Sequence, residues 1–182
     1  MKRSLIALSL AALLPLAAQA DDKLSYTYIE ADYVNVDSDA DGFGVRGSFE
    51  FGNSGFYGFG GYNWLETDVG SLDFETTELG FGYAHGLNDN LDLIGEAAWK
   101  NVDVDNFGDV DGWRASVGVR GSFSRNFEGL FKVNYVDYDN VDSDVTGTVG
   151  VQYKFNQTWG ITGEVEFGDG AETYLVGVRA SF

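Results

Sequence analysis

The chain has 182 residues, no cysteine, a single proline, methionine and histidine, and a formal charge of −18 from 29 acidic against eleven basic residues. That surplus repels a phosphate backbone and no basic patch offsets it, so nucleic acid is excluded as a partner; lack of cysteine excludes disulfide staples, thiolate metal sites and thiol nucleophiles. With four Trp, ten Tyr and fourteen Phe, the chain is also too aromatic for an acidic disordered polymer.

Residues 1–20 have the build of an export signal. Lys2 and Arg3 precede an apolar run, Leu5 to Leu16, which closes on Ala18-Gln19-Ala20, a small-x-small cleavage site. The run is too short for an anchor helix, which needs about 20 residues. The expected mature domain is therefore 21–182, with nine basic residues facing all 29 acidic ones. No later segment has the length of a membrane helix, so any membrane crossing must be made by strands.

From Asp21 onward apolar residues alternate with polar or small ones at the two-residue period of strands whose faces differ chemically. The alternation predicts ten strands, over 24–36, 42–51, 56–66, 74–85, 91–102, 111–123, 127–138, 144–155, 159–167 and 173–182. The third and fourth alternate least cleanly. Similar words recur along the chain: Gly44-Val45-Arg46-Gly47-Ser48-Phe49, Gly118-Val119-Arg120-Gly121-Ser122-Phe123, Gly150-Val151-Gln152-Tyr153-Lys154-Phe155 and Gly177-Val178-Arg179-Ala180-Ser181-Phe182, with a fainter Gly80-Phe81-Gly82-Tyr83. Five copies imply five hairpins. Connections alternate between short neutral turns (52–55, 86–90, 124–126, 156–158) and longer Asp-rich ones (37–41, 67–73, 103–110, 139–143, 168–171). This asymmetry is expected of an outer-membrane barrel with its short turns in the periplasm.

Which face points inward is decided by charge. Arg46, Lys100, Arg114, Arg120, Lys132, Lys154 and Arg179 share one face of the predicted strands with Glu30, Glu50, Glu78, Glu96, Glu128, Glu164 and Glu166. In a membrane barrel these fourteen form a charge network inside a narrow lumen, where each charge needs a partner. Ten strands enclose little more than the side-chain-filled interior of eight, so the lumen is expected to be plugged or nearly so. The opposite face carries Phe49, Phe51, Phe123, Phe155 and Trp159 by the short turns and Trp113 and Tyr174 by the long ones, as two aromatic girdles would. Tyr174, Val176, Val178, Ala180 and the terminal Phe182 alternate to the last residue, in the manner of the signal read by the barrel-assembly machinery.

Four further words, Asp111-Gly112-Trp113, Gly118-Val119-Arg120, Phe127-Glu128-Gly129 and Phe155-Asn156-Gln157-Thr158-Trp159-Gly160, occur in order ahead of that last strand. With it, they resemble the Ax-type family of small outer-membrane proteins, the proposed activators of XA immunity once described as quorum-sensing factors. The resemblance implies an outer-membrane location, release in vesicles, and a virulence-associated link to biofilm or host contact. It supplies no catalytic residues.

The sole histidine, His85, adjoins a short turn and reads as a turn residue, so no enzyme is expected. Asp37-Ser38-Asp39-Ala40-Asp41-Gly42 matches the first half of a calcium loop, in which alternate carboxylates converge on a hard cation. The twelfth position, which should be Glu, is Ser48. Asp37, Asp39 and Asp41 are thus candidates for weak calcium or magnesium binding, against a plain reading as solvated turn residues, which Asp favours. No other cofactor is implied.

The expectation is an all-β, closed, antiparallel up-and-down transmembrane barrel of ten strands, with eight as the alternative. It lies among outer-membrane lipid, displays acidic loops, and has a surface structural or interaction role with an unidentified extracellular partner. The alternatives are a narrow ion-conducting channel and a soluble secreted acidic β-protein that binds a partner.

Overall fold

The computed structural model describes residues 24–37, 39–67, 73–104, 108–139, 142–168 and 171–182; the expected export signal lies outside them. Ten strands follow in order: β1 (Tyr28–Val36), β2 (Ala40–Glu50), β3 (Phe56–Thr67), β4 (Asp73–Asn88), β5 (Leu91–Val104), β6 (Gly108–Ser122), β7 (Phe127–Tyr138), β8 (Asp144–Lys154), β9 (Trp159–Phe167) and β10 (Thr173–Ser181). Each pairs antiparallel with its sequence neighbours, and β1 pairs with β10 from Tyr28↔Ser181 to Val36↔Thr173, so the sheet closes on itself. The count is ten, not eight. Closure gives every strand two hydrogen-bonded neighbours and leaves no edge.

Several boundaries shift by one or two residues from the sequence reading, and three regions depart further, each for a physical reason. The first strand begins at Tyr28 instead of 24, because the chain before it turns into the barrel, where Tyr26 is 6 % exposed. The fourth runs on to Asn88 through a register shift between Gly86 and Asn88, so His85 is a strand residue opposite Leu93. The acidic stretch 103–110 is largely ladder, with Asp103↔Asp109 and Val104↔Gly108 paired, because Val102, Val104 and Val110 continue the two-residue period and favour extended backbone.

The two faces separate as the alternation predicts. On β6, Trp113 and Val117 are exposed, as is Phe123 just past its end, whereas Arg114, Ser116 and Arg120 are buried. An outward belt of Tyr33, Phe43 and Trp64 crosses β1 to β3 in direct register near the long-loop end and continues through the register pair Trp99 and Trp113. A second belt, at the short-turn end, includes Phe49, Phe51, Phe56, Phe123, Phe127, Phe155 and Trp159. Trp113 of β6 and Phe123, just past the end of that strand, stand ten residues apart. At about 3.3 Å per residue and a tilt of about 40°, the belts bound an apolar band about 25 Å tall.

Candidate functional site: the barrel lumen

Because β-strand side chains alternate strictly, every strand sends its polar set to one place, the interior of the closed sheet. There Arg46, from β2, contacts three carboxylates: Nη2 donates to Glu30 at 2.8 Å, Nε to Asp32 at 2.9 Å and Nη1 to Glu164 at 3.2 Å. Arg179 meets the other oxygen of Glu30, and the Thr162 hydroxyl donates to Glu30 at 2.6 Å. Arg114 pairs with Glu78 at 2.6 Å, Lys132 with Glu96 at 3.1 Å, and Arg120 with Glu128 at 2.6 Å; Glu128 also meets Lys154. Glu30 and Asp32 are 1 % and 2 % exposed, so their charges depend on these arginines for the solvation that water would otherwise provide.

All but three of the fourteen residues expected in the network therefore sit in ion pairs. Glu166 instead accepts a hydrogen bond from Thr146 at 2.8 Å, and Lys100 lies 5.7 Å from the centre of the Tyr138 ring. The backbone N–H of Glu50 donates to Thr27 Oγ1 at 3.1 Å. Among the described residues, Lys100 is the one strand cation with no carboxylate within 4.0 Å. The sequence reading omitted Asp32, although it shares the parity of Glu30 and that signal was sufficient to find it.

At the short-turn end the lumen is filled by the residues that precede β1. The Tyr26 ring stacks on Tyr57, donates its hydroxyl to Asp92 at 2.9 Å and lies 4.9 Å below the Arg120 guanidinium. Arg120 also donates to the carbonyl of Ser25 at 2.8 Å, and the Ser25 hydroxyl donates to the carbonyl of Phe182 at 2.8 Å. Burial, reinforced by Asp92, keeps the Tyr26 hydroxyl protonated far above its ordinary range. Tyr57 reaches across the wall because β4 presents Gly82 there; a Cβ at that position would overlap the Tyr57 ring. Its hydroxyl donates to Glu96 at 2.8 Å. Ile94 completes this apolar cluster, with Leu24, Phe59, Ala84 and Leu130 packed against it.

At the long-loop end the interior is not uniformly polar, which corrects the expectation of a polar inner face. Leu175, Val34, Gly42, Leu65, Phe74 and Val104 follow one another in register across β10, β1, β2, β3, β4 and β5. Val34, Leu65 and Leu175 are buried against one another, with Val36 and Phe74 alongside. Across from this apolar arc, β6 to β9 contribute Arg114, Asn134, Thr148 and Glu166. The signal was in the sequence: Val34, Leu65 and Phe74 have the polar-face parity.

Two cavities occupy the lumen. A lower one of about 80 Å³ lies among Tyr26, Tyr57, Arg120, Glu128 and Gln152. The upper, of about 250 Å³, extends to Val36, Tyr138 and Thr173, at the long-loop ends of β1, β7 and β10. Tyr28, Arg46, Tyr57, Glu96, Lys132 and Glu164 line both and stand between them.

The remaining candidates are placed as follows. Asp37 and Asp39 belong to the tight turn between Val36 and Ala40, with Asp37 at φ 49°, while Asp41 is already on β2. Asp37 Oδ1 accepts the N–H of Glu172 at 2.8 Å, and Asp41 Oδ2 accepts the Tyr33 hydroxyl at 3.2 Å. A hairpin, not a calcium-type loop, thus carries the motif, and among the described residues no group of three His, Cys, Asp or Glu is placed to hold a metal. In the last strand Tyr174, Val176 and Val178 face outward and exposed, while Ala180, between Ile29 and Trp159, is covered. Phe182 continues the ladder through its N–H to Thr27 at 2.9 Å.

No family model matches the chain. It is 28 % identical over 172 residues to the uncharacterised protein YaiT of Escherichia coli (strain K12), in a match covering 76 % of this chain and 17 % of that protein, so it spans about a sixth of that relative. Among solved structures it is similar to the KdgM porin, with a TM-score of 0.54, 16 % identity, and 85 % of this chain and 99 % of that one covered. The NanC porin gives 0.53, 12 % identity, 86 % and 100 %. The translocator domain of the autotransporter NalP from Neisseria meningitidis gives 0.53, 10 % identity, 100 % and 95 %. The likeness to all three is one of fold, a closed antiparallel barrel.

Proposed function

We propose that the protein is an outer-membrane β-barrel that displays acidic loops at the cell surface as a structural or interaction protein, with a lumen too obstructed for a diffusion pore. The observation that carries this reading is the division of side chains. The outer face is an apolar band between two aromatic belts, while the charged side chains of the midsections lie inside and are nearly all paired. A soluble protein does not leave so large a continuous apolar surface exposed. The fold similarity to the KdgM and NanC porins supports the same placement. Export through residues 1–20, engagement of the assembly machinery by the Tyr174-to-Phe182 strand, and the vesicle, biofilm and host-contact roles of Ax-type proteins belong to this reading as proposals. Cell fractionation with paired unboiled and boiled gel samples tests it: an outer-membrane band that shifts on boiling is expected, and a soluble, unshifted band overturns it.

A second reading, a narrow ion channel, is favoured by the two lumen cavities, which share six lining residues. Discrete conductance steps in planar bilayers would establish it; a silent bilayer containing heat-modifiable protein retains the sealed barrel.

A further inference from the structure

The upper lumen cavity combines features that a sealed structural barrel does not require. Its volume is about 250 Å³, and it reaches the long-loop end of the barrel. One wall is the apolar arc of Val34, Leu65 and Leu175. On the polar side Arg46, Arg114 and Lys132 are each engaged by a glutamate, whereas Lys100, across the ladder from Glu78, lies 5.7 Å from the centre of the Tyr138 ring and has, among the described residues, no carboxylate within 4.0 Å. Arg114, 8 % exposed, adds a buried Nε with no acceptor. Glu166, the one lining carboxylate outside an ion pair, already accepts a hydrogen bond from Thr146. The unanswered groups of the lining are therefore the Lys100 cation, the Arg114 Nε donor and one acceptor, Asn63 Oδ1, opposite an apolar wall.

A buried donor without an acceptor is costly, and a concave apolar site with a few convergent polar groups is the usual build of a small-molecule pocket. We propose that the upper lumen binds a small organic carboxylate: an anionic head at Lys100 and the Arg114 Nε, and an apolar body against Val34, Leu65 and Leu175. An apolar cavity of about 150 Å³ accommodates benzene, so this one suits a molecule of about ten non-hydrogen atoms. The arc positions the body and the cation selects the head, so neutral and cationic analogues of the same length should be rejected. The inference rests on the lumen alone. It stands whether or not the barrel conducts, and if the protein proves soluble the same titration is run in buffer.

The test is calorimetric titration of the domain 21–182 in lipid nanodiscs with sodium octanoate, with empty nanodiscs as the reference for partitioning into lipid. Saturable binding at one site per barrel is expected, with 1-octanol and octylammonium giving only the heat of the empty discs. Lys100→Gln should weaken octanoate by about tenfold or more, and Lys100→Arg should retain most of the affinity. Val34→Trp, which fills the cavity from the apolar side, should abolish binding; heat-modifiable migration verifies that each variant is folded. Absence of saturable heat above the empty discs, equal binding of octylammonium, or an unchanged affinity in folded Lys100→Gln would each overturn the proposal.

Discussion

Tyr26 stacks on Tyr57 with ring centroids 4.7 Å apart and planes 23° from parallel, although Tyr26 precedes the first strand and Tyr57 belongs to the third. This contact folds the start of the described chain back into the barrel it has just begun, and it places the filled end of the lumen at the short turns. The porins of similar fold share the closed wall; here the residues before β1 fill one end of it.

Removing that ring should loosen the end of the lumen it fills. Tyr26→Ala deletes a buried aromatic and is expected to cost about 3 to 5 kcal/mol in guanidinium unfolding. It should also produce, or enlarge, conductance steps in planar bilayers. A variant equally silent and equally stable would show that Tyr26 contributes nothing to the plug.

Alkali provides a second view of the same residue. In the folded barrel Tyr26 stays protonated well above its ordinary value of 10.0, while in the unfolded chain it ionises near that value. The folded state therefore binds more protons above pH 10, and stability falls as pH rises through that range. Tyr26→Phe cannot ionise, so its stability should fall less steeply than the wild type between pH 9 and about 11.5, followed by intrinsic fluorescence during denaturation.

The charges around Arg46 should behave as one unit. Arg46→Met leaves Glu30, Asp32 and Glu164 without that guanidinium and should destabilise the barrel by about 3 to 5 kcal/mol. Glu30→Gln keeps an acceptor for the Thr162 hydroxyl and leaves Arg46 two carboxylates but removes the carboxylate that pairs with Arg179, so its cost should also be about 3 to 5 kcal/mol. The double variant should cost less than the two together, with a coupling of about 0.5 to 3 kcal/mol. Additive values would indicate that the layer is not a network.

Val117 lies on β6 four residues from Trp113 and six from Phe123, and is 57 % exposed. If that face meets lipid, Val117→Arg places a charge near the bilayer midplane and should cost about 2 to 4 kcal/mol in unfolding from vesicles. If it meets water, the same change should stay within about 0.5 kcal/mol of the wild type. The two outcomes separate membrane from soluble readings independently of fractionation.

Much of this barrel was legible residue by residue. The parity of Arg114, Arg120 and Arg179 against Trp113, Val117 and Val178 assigns the inner and outer faces, and the recurrent Gly-Val-Arg words mark the hairpins, because a strand's side chains alternate whatever they contact later. The same parity contained Asp32 and the apolar arc of Val34, Leu65 and Phe74. Their inward position follows from that parity, whereas the contact of Asp32 with Arg46 and the mutual packing of the arc depend on register across strands.

The sequence by itself determined the all-β class and the two faces and favoured ten strands over eight, since periods of two and regularly placed turns are properties of neighbouring residues. Only the tertiary structure decided that Arg46 of β2 meets Glu164 of β9, that Lys100 is left facing Tyr138, and that Tyr26 turns inward. Closure brings together strands more than a hundred residues apart, as with Arg46 and Glu164. Which groups then meet depends on register and on gaps such as Gly82, and no local pattern records that geometry.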